Sequence, residues 1–356
     1  MVQQGAAGRT TLKDVARVTG VSASAVSMAL ADHPRIGQDR KAQIRAAARD
    51  LGYVTNSAAR ALRSQRAGSV ALVIPNTSRH VFGHPYFMHL LTGVSAVSND
   101  RDATLVVSTN ADETNGVAAY ERVLHSGTAD GVIIASAAGN DVNVARVVAS
   151  GLPVVLIGRF PAVPAAVSVG VDDRGGAAAA TRHLLREHGL RRIGQLTGPL
   201  EHQPAQDRSA GFHAAMRAAR AVRPPTVEGD FSEDSGRRGA AALLDGHPDL
   251  QGIFAANDEM AYGALLECRA RGLRVPQDIA LTGFDDFGVA RLTSPGLTTV
   301  RVPAEDVGHT AATLLFDLIA GVRPAEAHTT LPVQVVVRDS CGCSPPEPPT
   351  ASSRST

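Results

Sequence analysis

After Gly68 the sequence repeats one pattern, in which a short, continuous apolar run is followed by a longer stretch with helical periodicity. The runs are VALVIP, ATLVVS, DGVIIAS and PVVLIG, then RIGQLTG, GIFAAND and IALTGFD. Strands that are apolar on both faces are typical of a buried parallel sheet, and the intervening helices supply the crossovers that parallel strands need. The pattern therefore predicts a doubly wound α/β body. Its length is enough for two sheets, and we place the break between them near VSVGVDDRGG, residues 167–176.

Polar residues directly follow several of these runs. They are Asn76 and Thr77 after the first run, Arg159 after the fourth, Asn257 and Asp258 after the AA of GIFAAND, and Asp285 and Asp286 after the GF of IALTGFD. In open parallel sheets, ligands bind beyond the carboxyl ends of the strands. The sequence therefore predicts a small-molecule site at this edge. A second role stays open for Asn257 and Asp258, because either can cap the helix in EMAYGALLECRARG.

The segment before the body differs from it in charge. From Arg9 to Arg66 there are eleven Lys or Arg residues against four acids, a net charge of +7, whereas the whole chain has a net charge of only +1. The rest of the chain is therefore acidic. A basic segment joined to an acidic body is typical of a protein that contacts a polyanion such as nucleic acid. A merely solvated basic face is the alternative that charge alone leaves open.

The basic segment has the pattern of three short helices. Apolar residues recur at helical spacing from Leu12 to Ala16, Gly20 interrupts the pattern, and Ser22 can cap a second helix through Leu30. A third helix, QDRKAQIRAAARDLGY, is predicted with Ile44, Ala48 and Leu51 inward and Arg40, Lys41, Arg45 and Arg49 outward. The glycine turn and the capped second helix favour a helix-turn-helix over a generic helical bundle.

These elements resemble the head of the lactose-repressor family of bacterial transcription regulators. The similarity lies in TLKDVARVTGVS, AVSMAL, HPRIGQDRKAQIRAAARDLGYVTN and SAARALRS, in this order. It implies a DNA-binding head over residues 9–55, in which residues 22–30 form a recognition helix that lies in the major groove of an operator. The head residues that we assign to DNA contact on this basis are Thr11, Ser22, Ala23, Ser24, Ser27 and Met28.

Three of these positions depart from the usual family pattern, which has a larger polar pair where this chain has Ala23 and Ser24 and an arginine where it has Met28. Small and apolar side chains favour contact with thymine methyl groups, or adaptable hydroxyl bonds, over bidentate readout of guanine. We expect the hydroxyls, the helix N-termini and the basic side chains to contact phosphates, which contributes affinity without reading sequence.

Residues 56–66 are predicted to form a hinge helix and linker. Asn56 can cap a helix through SAARALR, which is shorter than the ~12–15 residues at which an isolated helix becomes marginally stable. The resemblance implies that two hinge helices order when they pair in the minor groove, where Leu62 is wedged between base steps and Asn56 and Arg60 also contact the DNA. A plain linker is the alternative, given the RSQRAGS that follows.

The resemblance continues through GPLEHQPAQDRSAGF, GDF, FAANDEMAYGAL and RVPQDIALTGFDDFGVARLTSPGLTTV. It implies an effector-binding and dimerisation body over residues 67–340, with the fold of periplasmic sugar-binding proteins. The expected parts are an N-subdomain of about 68–168 and 298–329 and a C-subdomain of about 169–297 and 330–340. The resemblance further implies that Arg208, Asn257 and Asp285 bind an effector and that Phe87 and Phe231 pack on its plane.

An arginine, an amide and a carboxylate suit a neutral polyol or a purine-like ring, because they offer donors and acceptors in fixed directions. GPLEHQP and GDF are more similar to the purine-responsive pattern of the family than to the sugar-responsive one, although His202 and Pro204 depart from it. The resemblance also implies a homodimer on a pseudo-palindromic, double-stranded operator. No leucine heptads follow Asp339, so we do not expect a tetramer held by a C-terminal coiled coil.

Two other classes of protein are weighed against a regulator. An enzyme lacks support, because the sequence has no GxxxxGK[ST], HExxH or GxSxG motif and its only lysines, Lys13 and Lys41, lie in the head. A transport-type binding protein would explain the body but not the basic head. We therefore predict a repressor that is switched by a small molecule, is not an enzyme and uses no cofactor.

We also expect no metal site. Cys268 is isolated, Cys341 and Cys343 are separated by one glycine, and the twelve histidines form no convincing ligand set. Residues 341–356 are assigned to a disordered tail because of their Pro/Ser-rich composition. No apolar run approaches the ~20 residues that span a bilayer, and the N-terminus lacks the pattern of a secretory signal, so we expect a cytoplasmic protein without membrane contact.

Overall fold

The computed structural model describes residues 10–30, 32–53, 67–111 and 116–343. The chain divides into two compact units, Met1–Ala67 and Gly68–Thr356, which we describe separately. A search of the described residues finds no helix that is both long enough and apolar enough to span a membrane.

The first unit contains the three predicted helices. They are Leu12–Thr19 (α1), Ala23–Leu30 (α2) and Gln38–Asp50 (α3). Gly20 ends α1 with a φ of +66°, a left-handed conformation that glycine adopts without a Cβ clash. All three helices contribute to a small core of Val15, Val26, Ala29, Ile44 and Ala48. The predicted helix-turn-helix and the inward positions of Ile44 and Ala48 are confirmed.

Lys41 corrects the sequence analysis, which placed it on the outer face of α3. Its side chain is buried, and its Nζ lies 3.0 Å from the carbonyl oxygen and 3.0 Å from the Oδ1 atom of Asp32. Arg45 reaches the same carboxylate at 2.8 Å. Because a buried charge needs polar partners, Lys41 anchors the loop between α2 and α3. Arg40 and Arg49 are exposed, as predicted.

The second unit alternates strands and helices. Its strands are Ser69–Thr77 (β1), Thr104–Asn110 (β2), Val132–Ile134 (β3), Val154–Ile157 (β4), Ser168–Val171 (β5), Ile193–Thr197 (β6), Thr226–Glu228 (β7), Gly252–Ala255 (β8), Ala280–Thr282 (β9), Thr299–Arg301 (β10), His328–Leu331 (β11) and Gln334–Val336 (β12). Its helices are Ser78–Gly83 (α4), Pro85–Asp100 (α5), Ala118–Ser126 (α6), Val142–Ala149 (α7), Asp173–Glu187 (α8), Gln203–Ala218 (α9), Glu233–Gly246 (α10), Asp258–Ala270 (α11), Val289–Leu292 (α12) and Ala304–Ile319 (α13).

The first sheet is parallel and has the strand order β11-β5-β4-β3-β1-β2. Successive residues of β1 point to opposite faces of it. Val70, Leu72 and Ile74 join the core formed with α5 and α13. Ala71 and Val73 join the core formed with α6 and α7. Helices therefore cover both faces, which confirms the doubly wound architecture.

The second sheet is also parallel, in the order β7-β6-β8-β9, and a short antiparallel ladder joins β10 to β12. β5 belongs to the first sheet, and α8 then begins the part of the chain that surrounds the second. The chain returns to the first sheet between β10 and α13, and leaves it again between β11 and β12. Three crossings therefore connect the two sheets.

The end of the described chain corrects the predicted tail. Asp339–Cys341 forms a 3-10 helix whose Ser340 and Cys341 are buried. Ser340 Oγ donates to the carbonyl oxygen of Leu281 at 2.7 Å and accepts the Thr298 N–H at 2.8 Å. Residues 341–343 are therefore part of the packed body, while residues 344–356 lie outside the described residues.

Candidate functional site

A cavity opens where residues from both sheets meet. It is lined by His80, His84, Tyr86, Phe87, Ser136, Ala137, Gly139, Ile157, Gly158, Arg159, Phe160, Gly170, Val171, Asp173, His202, Gln203, Pro204, Arg208, Phe231, Asp285, Val302 and Val307. Its volume is about 130 Å³. Sites for small molecules are concave and mostly apolar, with a few polar groups that fix the orientation of the ligand. The position and the lining of the cavity therefore fit the site predicted at the strand ends.

Arg208 projects into this cavity from α9 and is held between two carboxylates. Its Nε donates to Asp173 Oδ1 at 2.7 Å, and its Nη1 lies 3.2 Å from Asp285 Oδ1. Nη1 also donates to the carbonyl oxygen of Ala256 at 2.6 Å, and the guanidinium carbon lies 3.8 Å from the centroid of the Phe284 ring. These contacts fix the guanidinium in one orientation.

The protonation of the two carboxyl groups depends on burial. Burial raises the pKa of Asp173, and Arg208 opposes this shift. Burial also raises the pKa of Asp285 to about 7, against the opposing effect of Arg208 and with Glu259 adding to the increase. Asp285 has a φ of +112°, a conformation that is costly for a residue other than glycine and is common at binding sites.

One wall of the cavity is made of aromatic rings and imidazoles from α4, α5 and the junction between them. The Phe87 ring centroid lies 5.3 Å from that of Tyr86, 5.8 Å from that of His80 and 5.9 Å from that of His84. Burial lowers the pKa of His84 to about 4, with His80 and Arg208 adding to the decrease. His84 is therefore neutral at pH 7. Phe231 lines the cavity as well, with its ring directly against Gly198.

Asn257 has a different position from the one that the resemblance implied. It does not line the cavity, and its Oδ1 accepts the Met260 N–H at 3.0 Å as the N-cap of α11. Its Nδ2 donates to the Phe231 carbonyl oxygen at 2.9 Å and to Glu259 Oε2 at 2.8 Å. Nδ2 also lies 3.4 Å from His84 Nε2, so Asn257 orients the wall of the cavity from behind. This is the capping role that the sequence left open.

Other predicted strand-end residues separate into lining and supporting groups. Arg159 lines the cavity. Asp286 instead binds Arg301 at 2.7 Å and Arg338 at 2.5 Å, which joins β10 to the segment after β12. Asp258 accepts the Asp286 N–H at 2.7 Å and the Thr299 hydroxyl at 2.6 Å. Neither Asn76, which donates to Ser136, nor Thr77, which caps α4, lines the cavity.

Several lining residues were not predicted as effector ligands. They include Tyr86, Phe160, Asp173, His80, His84 and His202. Asp173 follows β5, which was not among the predicted strands because SVGV contains a serine and a glycine. The rule that polar residues at strand ends approach ligands would have identified Asp173 if β5 had been counted.

In the head, the predicted DNA-contacting residues lie around the start of α1 and along α2. The Thr11 N–H and hydroxyl donate to Asp14 Oδ2 at 3.0 and 2.7 Å. Ser22 Oγ accepts the Ala25 N–H at 3.2 Å, which confirms the predicted cap, and lies 2.9 Å from Ser24 Oγ. Ser22 and Ser24 are exposed, and Ala23, Ser27 and Met28 are half-buried. The predicted hinge residues Asn56, Arg60 and Leu62 lie outside the described residues.

Among the residues that the structure describes, two groups of side chains could hold a cation. One comprises His84, Glu259 and Asp285, and it belongs to the cavity wall. Asp285 is already paired with Arg208 there, so this group is poorly suited to a metal ion. The other comprises His183, His188, Cys341 and Cys343, and it corrects the expectation that the histidines form no ligand set.

Comparison with known proteins places this geometry in a class. A model for bacterial regulatory proteins of the lacI family matches residues 11–56, and a model for a periplasmic binding protein-like domain matches residues 181–341. The HTH-type transcriptional regulator CelR of Thermobifida fusca is 34% identical over 93% of this chain and 98% of its own length. The HTH-type transcriptional repressor PurR of Klebsiella pneumoniae is 28% identical over 94% of this chain and 98% of its own length.

Solved structures of similar proteins have the same fold as this chain. A complex of the transcriptional regulator CelR with cellobiose has a TM-score of 0.72 at 32% identity and covers 93% of this chain and all of the other. A lac repressor dimer bound to operator and the anti-inducer ONPF has a TM-score of 0.82 at 25% identity, covering 94% and 99%. The fold is thus that of a helix-turn-helix transcription regulator with a periplasmic-binding-protein-like body. The chain belongs to the lacI family of bacterial regulatory proteins.

Proposed function

We propose that this protein is a homodimeric repressor whose affinity for a pseudo-palindromic DNA operator is changed by a small molecule bound in the cavity. The observation that carries the proposal is the network of Arg208, Asp173 and Asp285 in the cavity of a chain that also has a basic helix-turn-helix. CelR and the lac repressor, which cover nearly the whole chain, support the combination. A chromosomal operator implies that the protein acts in the cytoplasm.

The proposed effector is a neutral polyhydroxyl compound, which is to say a sugar. Its hydroxyls can donate to Asp285 and accept from Arg208, while Phe87 and Phe231 offer apolar ring faces. The guanidinium is already paired with Asp173 at 2.7 Å and bonded to the Ala256 carbonyl oxygen, so an anionic ligand would gain little from it. The cellobiose complex of CelR supports a sugar, and the similarity to PurR keeps a purine-like ring as the second chemistry.

Ligand binding in the cavity can change the affinity for DNA, because both subdomains line the cavity. Phe87 and Val307 come from helices on the first sheet, and Arg208 and Phe231 from the part around the second. A ligand that contacts both parts stabilises one relative arrangement of them. In the proposed dimer this changes the distance between the two hinge segments at residues 56–66. The ligand is bound without being transformed, which the similarity to a family of DNA-binding regulators supports.

Thermal unfolding against a ligand panel tests the effector half of the proposal. The panel contains neutral mono- and disaccharides, including cellobiose, together with purine bases and nucleosides. A ligand at about 100 times its Kd should raise the Tm by roughly 5–10 °C, because it stabilises only the native state. Asp285→Ala should abolish the shift, whereas Asp306→Ala, an exposed carboxylate outside the cavity, should keep it. A full shift in Asp285→Ala would exclude this residue as a ligand.

Selection from a random duplex library tests the DNA half. The full-length protein should enrich a two-fold symmetric sequence, and the ligand from the thermal screen should change its affinity for that sequence. Enrichment of no symmetric sequence over a range of salt concentrations would contradict the proposal, whatever the ligand screen shows.

A further inference from the structure

Four metal-ligating side chains converge outside the effector cavity. They are His183 and His188 at the end of α8, and Cys341 and Cys343 at the end of the described chain, which we call the His/Cys cluster. Their ligand atoms all lie within 4.8 Å of one another. His183 and Cys341 are 158 positions apart in the sequence, so the fold brings the two pairs together. We propose that the His/Cys cluster binds one zinc ion in a tetrahedral site.

The distances between these atoms are close to those of a tetrahedral zinc site. Cys341 Sγ lies 3.3 Å from His183 Nε2, and Cys343 Sγ lies 3.6 Å from the same nitrogen and 3.3 Å from His188 Nε2. With Zn–S bonds of ~2.3 Å and Zn–N bonds of ~2.0–2.1 Å, tetrahedral geometry separates sulfur from nitrogen by about 3.5 Å. These three sulfur–nitrogen distances are within a few tenths of an ångström of that value, and the remaining pairs of donor atoms lie within 4.8 Å of one another.

The backbone around Cys341 brings the two thiols to the same side. Gly342 has a φ of +102°, so the chain reverses direction between the cysteines in a conformation that glycine tolerates best. The Gly342 position also lies against the His188 ring, where a Cβ would be 3.4 Å from Nδ1 and Cε1. A Cys-Gly-Cys sequence at this turn can therefore present both sulfurs to the two imidazoles.

The chemistry of the donor set favours zinc over harder cations. Two thiols and two imidazoles form a Cys₂His₂ set, which is typical of structural zinc sites and unlike the oxygen ligands of Mg²⁺ or Ca²⁺. Two thiolates would also balance the charge of a divalent ion.

A zinc ion here would fasten the last segment of the body to α8. Cys341 is buried in the core that contains Leu184 and Leu185 of α8, and it accepts a hydrogen bond from Thr298 at 3.1 Å. The helix that carries the His/Cys cluster at its end begins at Asp173, the partner of Arg208. Because every donor is a protein side chain, the site would be closed and structural.

Metal binding tests the inference on tag-free, full-length protein purified with a reductant and without chelators. Elemental analysis should find about one zinc per chain. After zinc removal, Co²⁺ should produce the visible bands of tetrahedral cobalt and a thiolate-to-cobalt charge-transfer band, and one equivalent of Zn²⁺ should bleach both. Structural zinc sites imply a Kd between roughly 50 nM and about 2 pM. Zinc should also raise the Tm of the metal-free protein.

Substitutions of the proposed ligands test where the zinc ion binds. Cys341→Ser with Cys343→Ser should remove the charge-transfer band, and His188→Asn should weaken zinc binding by about 100-fold or more. Cys268→Ala and His309→Asn should bind as the unchanged protein does, because Cys268 and His309 lie outside the cluster. Circular dichroism of each variant at a temperature below unfolding checks that it is folded.

Three outcomes would overturn the inference. They are the absence of a charge-transfer band in the unchanged protein, metal binding that persists in the double cysteine variant, and a Cys341–Cys343 disulfide in protein kept under reductant. If the cysteine variants are poorly folded, the folded His188→Asn variant decides: unchanged zinc affinity in it would exclude the site. None of these results depends on the effector or the operator.

Discussion

Asp285 and Asp286 are neighbours in the sequence and have different partners. Asp285 faces Arg208 in the cavity, whereas Asp286 binds Arg301 and Arg338 behind it. Both have positive φ angles, so the two carboxylates leave this turn in different directions. Asp285 is thus available to a ligand, whereas Asp286 holds β10 and the segment after β12 together.

Gly198 controls the position of Phe231. A Cβ at residue 198 would lie far inside the van der Waals radius of three Phe231 ring atoms. We predict that Gly198→Ala displaces the ring, lowers the free energy of unfolding by about 1–3 kcal/mol and weakens effector binding. Urea unfolding and a ligand titration measure the two effects.

Gly246→Ala is the matched control, because a Cβ there meets open space at the end of α10. It should leave effector binding unchanged and can stabilise the helix by roughly 0.5–1 kcal/mol. Adding Phe231→Leu to Gly198→Ala should recover part of the lost stability, since the smaller side chain relieves the clash. If the effects of the two substitutions on the free energy of unfolding are additive, a clash with the Phe231 ring is not the cause of the lost stability.

At the scale of the element, one basic residue of α3 stabilises the fold and another is exposed on the surface. Lys41 is buried against Asp32, whereas Arg40 is exposed and bonds only to Gln43 among the described residues. We predict that Lys41→Ala lowers the free energy of local opening of the loop between α2 and α3 by about 1–3 kcal/mol, because it removes a buried hydrogen-bonded charge. Hydrogen exchange in the head of the full-length protein measures this as faster exchange.

Arg40→Ala provides the comparison. It should leave hydrogen exchange unchanged, and it should reduce the slope of log affinity against log salt for duplex DNA by about 1, the loss of one phosphate contact. If Lys41→Ala and Arg40→Ala change hydrogen exchange equally, the burial of Lys41 does not give it a different role from Arg40.

At the scale of the whole molecule, two buried groups with shifted pKa values oppose each other in the pH dependence of stability. Native Asp285 keeps its proton up to about pH 7, while the unfolded chain releases it near 3.8, so its contribution to stability decreases as pH rises between these values. Native His84 stays neutral down to about pH 4, while the unfolded chain takes up a proton near 6.5, so its contribution decreases as pH falls.

Two substitutions should separate these contributions. Relative to the unchanged protein, Asp285→Asn should gain up to a few kcal/mol of stability as pH rises from 4 to 7, and His84→Asn should gain as pH falls over the same range. Asparagine is chosen at residue 84 because it can replace the cap that His84 provides to α5. Urea unfolding at several pH values measures both differences. A difference that does not vary with pH would exclude a shifted pKa at that residue.

Much of this architecture could be predicted because the decisive signals are local. Each of the seven apolar runs contains a strand, since parallel strands covered on both faces leave no polar alternation. The signal was missing where a strand is short or polar, as in SVGV of β5 and TVE of β7. The head was predictable for the same reason, because a glycine turn and a serine cap act on neighbouring residues.

Contacts between distant residues could not be predicted in this way. The burial of Lys41 depends on a loop nine positions away, and that of Cys341 on Thr298 and on α8. Asn257 was predicted at the correct edge of the sheet, but its orientation depends on the Phe231 carbonyl and on Glu259. Spacing identifies which residues share an edge, and tertiary packing decides which of them face the ligand.

The edge strand β11 has a consequence for synthesis on the ribosome. Residues 328–331 pair with β5 and complete the first sheet, although β1 of that sheet begins at Ser69. A nascent chain must therefore be translated past residue 331 before this sheet can close, long after residues 10–53 have left the exit tunnel. The DNA-binding part is thus available for folding first, and premature termination before residue 328 yields a head attached to an incomplete body that is exposed to chaperones and proteases.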